Sequence, residues 1–165
     1  MFMNRVSQTL HEEHRATIAL MERLEQFLAR NRSEPPKTAE PGVDSFLGDL
    51  ASGVKADTDR HFGFEEEHLF THLAAVGDEM IGMHLTSEHN AMRPLGERIA
   101  ALALEARGTG FTAEGWGEFR RLGAELCERM LAHVQKEEMA LLPLLEETMD
   151  PDTDARLYQE YFDSM

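Results

Sequence analysis

The stretch HFGFEEEHLFTHL, residues 61–73, becomes readable when it is set beside HVQKEEMALLPLL, residues 133–145. Both open on a His, carry Glu four and five residues later, and run into a Leu-rich segment. His61, Glu65, Glu66, Leu69 and Leu73 thus answer to His133, Glu137, Glu138, Leu141 and Leu145. Four residues of α-helix advance by about 400°, which leaves His61 and Glu65, or His133 and Glu137, within roughly 40° of each other. Each HxxxE is therefore a nitrogen-and-oxygen grip on one helical stripe.

A second pair of echoes lies upstream. EHRATIALMERL from Glu13 aligns with EHNAMRPLGERI from Glu88, so that His14 answers to His89. The order His, HxxxE, His, HxxxE predicts two similar helical hairpins, each giving a lone His from its first helix and an HxxxE from its second. Packed face to face, they would point four imidazoles and two carboxylates into one core.

Periodicity supplies the helices. Leu10, His14, Ile18, Met21, Leu24 and Leu28 form an apolar stripe on a first helix from Asn4 or Ser7 to Arg30, with His11 nearer its edge. Residues 31–42, with three prolines, read as a linker. A second helix from Val43 or Asp44 to about Val76 turns Leu47, Leu50, Val54, His61, Glu65 and Leu69 inward, with His68 and His72 as polar residues near the bundle end. Gly77 and Asp78 read as a stop and an N-cap. The third helix carries Ile81, Leu85, His89, Met92, Ile99 and Ala103 and should kink at Pro94. Thr112 caps a fourth, with Phe119, Leu122, Leu126, Met130, His133, Glu137, Leu141 and Leu144 inward and a bend at Pro143. Asp150 and Pro151 open a short helix over 151–163 that packs through Leu157, Tyr161 and Phe162. No segment has strand period. The fold class expected is all-α, an antiparallel up-down four-helix bundle with a short C-terminal fifth helix, in a single domain over 1–165.

Composition narrows the chemistry. A chain of 165 residues can build a core without staples, and the lone Cys127 leaves no internal disulfide and no Cys-rich metal site. The formal charge of −15 argues against a nucleic-acid partner. No run reaches the roughly 20 apolar residues of a membrane span, and the first residues lack the apolar core of a signal peptide, which makes a cytoplasmic protein the expectation. There is no phosphate-binding Gly-rich loop and no Ser/His/Asp arrangement on strands.

Two Glu and four His at one level of an apolar core would each be costly without partners, and a pair of cations would satisfy them. Imidazole and carboxylate suit iron, manganese or zinc. At this point the motifs EH, HxxxEExxLF, EH and HxxxEExxLLPLL, in that order, resemble the hemerythrin HHE cation-binding family over about residues 7–147. The resemblance implies a non-haem di-iron centre, two iron ions with an oxo or hydroxo bridge, held by His14, His61, Glu65, His89, His133 and Glu137.

Oxygen-carrying hemerythrins have a further His one turn before the third-helix ligand, where this chain has Leu85, and His84 lies about 140° away from His89 around the helix. In those carriers the fourth-helix carboxylate is displaced by one residue, which leaves Glu137 and Glu138 both open as the ligand. The pattern looks more like the four-His, two-carboxylate sites of hemerythrin-like iron-sensing and stress-repair proteins. The resemblance thus implies a binding or sensing protein that takes O2 or a related small diatomic or oxidant for sensing, iron handling or stress protection. The alternatives are a di-iron enzyme acting on peroxide or nitric oxide, and a metal-stabilised helical interaction module. No acid or base beyond the ligands stands out as catalytic, and the sequence leaves oligomeric state open.

Overall fold

The computed structural model describes residues 1–164, and among these there is no strand. Five helices follow one another: α1 (Arg5–Arg30), α2 (residues 41–75), α3 (Glu79–Thr109), α4 (residues 113–148) and α5 (Pro151–Asp163). The first four form the expected antiparallel bundle. α2 packs along α3, α3 along α4 and α4 along α1, while the seam between α1 and α2 is the sparsest of the four.

The chain chemistry at the ends accounts for the boundaries. α2 starts at Pro41, two residues before the sequence expectation, because a proline is pre-set for the first helical position. It stops at a Schellman turn in which Gly77 takes φ +93° while the N–H of Asp78 bonds the Leu73 carbonyl at 2.8 Å. Thr112 and Asp150 do cap α4 and α5, accepting from Gly115 N–H at 2.9 Å and Thr153 N–H at 2.7 Å. α3 runs unbroken through Pro94. Gly96 lets α2 and α3 approach closely, since a Cβ there would lie 2.9 Å from both Thr58 and Val54.

The start of α1 is capped from far away in sequence. Asp154 of α5 accepts from the N–H groups of Arg5 at 2.9 Å and Val6 at 3.0 Å, and Glu146 accepts from Met3 and Asn4. A carboxylate at a helix N-terminus satisfies orphan donors and complements the helix dipole. α5 also packs Leu157 and Tyr161 inward. Phe162, expected to pack, is instead 59% exposed, because it lies five residues beyond Leu157 and so turns to the far side.

α2 and α4 each contain wider turns with i→i+5 hydrogen bonds. The N–H of Phe70 bonds the Glu65 carbonyl and that of Leu142 bonds the Glu137 carbonyl, at matching places in the two repeats, and a further such turn covers Ala56–His61. Such π turns add a residue and shift the stripe by one place. The buried positions therefore run Leu69, Phe70, Leu73 and Leu141, Leu142, Leu145, and Leu144 is only half-buried, contrary to the plain 3.6-residue reading.

Two apolar clusters result, one around Met21, Leu24, Leu50, Val54, Met92, Ile99, Phe119 and Leu126, the other around Leu10, Leu69, Leu73, Leu85, Leu141 and Leu145. Between them, on all four bundle helices, lies a buried polar layer.

Candidate metal centre

That layer consists of His14 from α1, His61 and Glu65 from α2, His89 from α3, and His133 and Glu137 from α4. Each is at most 6% exposed, and Glu65 and His89 are fully buried. All six residues named from the sequence come together, in two overlapping groups. One is His14, His61, Glu65 and Glu137, the other Glu65, His89, His133 and Glu137, with donor atoms within 4.8 Å of one another in each. Both carboxylates belong to both groups. Glu65 faces His61 Nε2 with Oε2 at 3.3 Å and His89 Nε2 with Oε1 at 3.2 Å, and Glu137 Oε1 lies 2.8 Å from His133 Nε2 and 3.6 Å from His14 Nε2.

The outward nitrogens are held with equal regularity. His14 Nδ1 lies 2.6 Å from Glu138, His61 Nδ1 2.7 Å from Glu13, His89 Nδ1 2.6 Å from Glu66 and His133 Nδ1 2.8 Å from Glu88. An ionised carboxylate only accepts, so each Nδ1 carries the proton and donates it, leaving the four Nε2 lone pairs turned inward. Glu13 and Glu88 serve a His in their own hairpin, whereas Glu66 and Glu138 cross to the other. Each of these four Glu has a further partner: Arg60 at 3.4 Å for Glu13, Arg93 at 2.9 Å for Glu66, Lys136 for Glu88, and His11 at 2.5 Å for Glu138.

Glu13, Glu66 and Glu88 were not singled out from the sequence as site residues, and Glu138 only as an alternative to Glu137, although the repeats contain all four as EH and HxxxEE. Glu137 is the inward carboxylate of α4 and Glu138 the outer one, three-quarters buried against His11 and His14. Nothing brings His68, His72 or His84 to the layer. His68 lies against Phe64, His72 meets Thr148 Oγ1 at 3.2 Å, and His84 is exposed beside Glu88.

An inward set of four lone-pair nitrogens and two carboxylates contains acceptors and no donor. His14 Nε2, both oxygens of Glu65 and Oε2 of Glu137 have no hydrogen-bond partner. His89 and His133 bring their Nε2 atoms to 3.1 Å, a repulsive pair of lone pairs unless a cation or proton lies between them. Two nitrogens about 2.1 Å from one ion and at right angles around it would be about 3 Å apart, so the spacing fits a shared metal ion.

The electrostatics point the same way. Burial pulls His61 down, but the Glu65 charge and the hydrogen bond with Glu13 outweigh it and hold the imidazole well above its ordinary range. In His14 and His133 burial is likewise outweighed, chiefly by the Glu137 carboxylate that faces each of them. Burial pushes Glu137 up, yet the groups it faces, Glu65, His133 and His14, outweigh that and hold it well below the usual carboxylate range. The cage demands positive charge, and a metal entering it would displace protons.

The family model of the hemerythrin HHE cation-binding domain matches residues 5–145, with a second match over 84–161 that begins within the first helix of the second hairpin. The chain belongs to this family. Among curated proteins, none matches the chain. Cation binding is what the family's description names, and the buried layer lies within the matched residues. No helix among the described residues is long and apolar enough to cross a membrane.

Proposed function

We propose that this hemerythrin HHE domain holds two iron ions, one between His14 and His61 and the other between His89 and His133, with Glu65 and Glu137 shared between them. We propose further that it binds O2 or a related small oxidant in sensing, iron handling or stress protection. The observation that carries this reading is the sharing of both carboxylates by two histidine pairs. Two imidazoles and two carboxylate oxygens supply four donors per ion, which leaves positions open on a metal that prefers more. When bound, the metal pair would supply redox-active, Lewis-acidic binding of the small ligand.

The chain's own residues set the conditions. Glu13, Glu66, Glu88 and Glu138 fix the tautomer and direction of the four imidazoles. Phe62 lies flat on His89 with ring centroids 3.9 Å apart, and Leu85, 1% exposed, puts an aliphatic chain one turn before His89. Both exclude water from that side. Leu85 supplies no donor, which favours open coordination over the saturated site of an oxygen carrier.

Iron content and the optical spectrum after anaerobic reconstitution test the proposal. Two irons per chain and a visible absorption that changes with O2 are expected. Well under one iron per chain, with no such absorption, would refute it, and steady turnover of peroxide or nitric oxide that vanishes in His61→Ala would move the assignment to an enzyme.

A further inference from the structure

The repeats make the two halves of the layer look interchangeable, yet the packing around them differs. On the His89/His133 side the two imidazoles are 0% and 1% exposed. Phe62 covers His89 at 3.9 Å and Phe70 approaches it at 5.8 Å. The carboxylates behind this pair are tied to Arg93 and Lys136.

The His14/His61 side adjoins the sparsest seam of the bundle. A cleft of about 200 Å³ opens there between α1 and α2, lined by His61 itself together with Glu13, Thr17, Asp57 and Arg60. This is room for several waters. Asp57 precedes His61 by four residues, on the π-widened stretch of α2, and Thr17 Oγ1 donates to its carboxylate, 3.0 Å from each oxygen. A carboxylate held in place beside a metal-ligating histidine offers a hard oxygen to a hydrated divalent cation before the imidazole takes it. Arg60 is the cation of the lining and opposes entry. It is held by Glu13 at 3.4 Å and by the face of Tyr161 at 4.6 Å.

We propose that the α1–α2 cleft is the port through which a divalent transition-metal ion enters and leaves the dinuclear site, with Asp57 as its first oxygen ligand on the way to His61. The ion between His14 and His61 is then the exchangeable one, and the ion between His89 and His133 is trapped behind Phe62. This rests on the dinuclear reading above.

The test uses the full chain loaded anaerobically with iron(II), and follows its release to an excess of a colorimetric iron(II) chelator and its uptake by the metal-free chain. Release in two phases of equal amplitude is expected, the faster at least tenfold quicker. Asp57→Asn should slow uptake of the first ion at least threefold with two ions still bound at saturation, and Arg60→Gln should speed it. Phe62→Leu should accelerate the slow phase alone. Simple loosening of the fold would speed exchange in every variant, so the opposite signs of Asp57→Asn and Arg60→Gln separate a port from a structural role. Two ions leaving in one phase, or uptake unchanged in Asp57→Asn, would overturn the port while leaving the dinuclear site standing. A chain that takes up no iron would refute the site itself and the port with it.

Discussion

Glu66→Ala tests whether the carboxylates behind the histidines act on the metal. Glu66 Oε2 lies 2.6 Å from His89 Nδ1 and 2.9 Å from Arg93, and with His89 fully buried this carboxylate is the acceptor on which its Nδ1–H depends. Two consequences have the same sign. The orphaned Nδ1–H forfeits a charge-assisted hydrogen bond of about 1.5–3 kcal/mol. The ring can then move its proton to Nε2, where Glu65 Oε1 at 3.2 Å accepts it, and that tautomer stabilises the metal-free state while blocking the ligand nitrogen. Together these predict a 10–100-fold loss of metal affinity, or about 1.4–2.7 kcal/mol, in the range found for such supporting groups. Glu66→Gln keeps an oxygen acceptor without the charge and should lose about tenfold or less. Competition with a chelator of known affinity, using iron(II) or zinc(II), reads the effect, and circular dichroism checks the fold. Affinity within twofold of the parent in a folded Glu66→Ala chain would refute the assignment of these carboxylates as tautomer-fixing groups.

Asp154→Ala removes the acceptor for two N–H groups at the start of α1 and should cost about 2–3 kcal/mol in urea unfolding, with Asp154→Asn intermediate; a loss under about 0.5 kcal/mol would contradict the long-range cap. Asp57 is half-buried and its carboxyl is pushed up to about 6, by burial first and by Glu13, against the opposing effects of His61, Thr17 and His14. Between the unfolded value of 3.8 and about 6 the folded metal-free chain binds the extra proton, so this group removes stability as pH rises through that window and the full cost remains above it. Asp57→Asn should therefore stabilise the metal-free chain by about 1–3 kcal/mol at pH 7 and by nothing near pH 3.5, read as the difference between parent and variant in urea melts. Leu85→His places an imidazole one turn before His89 and should slow autoxidation or lengthen O2 retention; unchanged rates of both would remove the weight placed on Leu85.

The helices and the six inward residues were legible in the sequence because both are written at short range. A 3.6-residue period marks each buried stripe, and the repeat of His14 in His89, and of HFGFEEE in HVQKEEM, marks the same polar positions twice. The plain period could not give the π turns at Glu65 and Glu137, which depend on a hydrogen bond choosing the fifth residue over the fourth. That choice decides why Leu145 is buried and Leu144 only half so. Phe162 was misplaced for a simpler reason, since a hydrophobic residue beside a buried Tyr161 need not share its face.

Sequence alone determined that there are two hairpins and that each offers imidazole, imidazole and carboxylate to a common core. Only the tertiary structure decided which carboxylate stands behind which histidine, with Glu138 crossing 124 positions to His14 and Glu66 crossing 23 to His89, and that Asp154 caps a helix 148 positions away. Only it made the two halves unequal, by closing Phe62 over His89 and leaving a cleft beside His61. The physical reason is that periodicity constrains the direction of a side chain from its own helix, whereas hydrogen-bond partners and gaps are fixed by how separate helices pack.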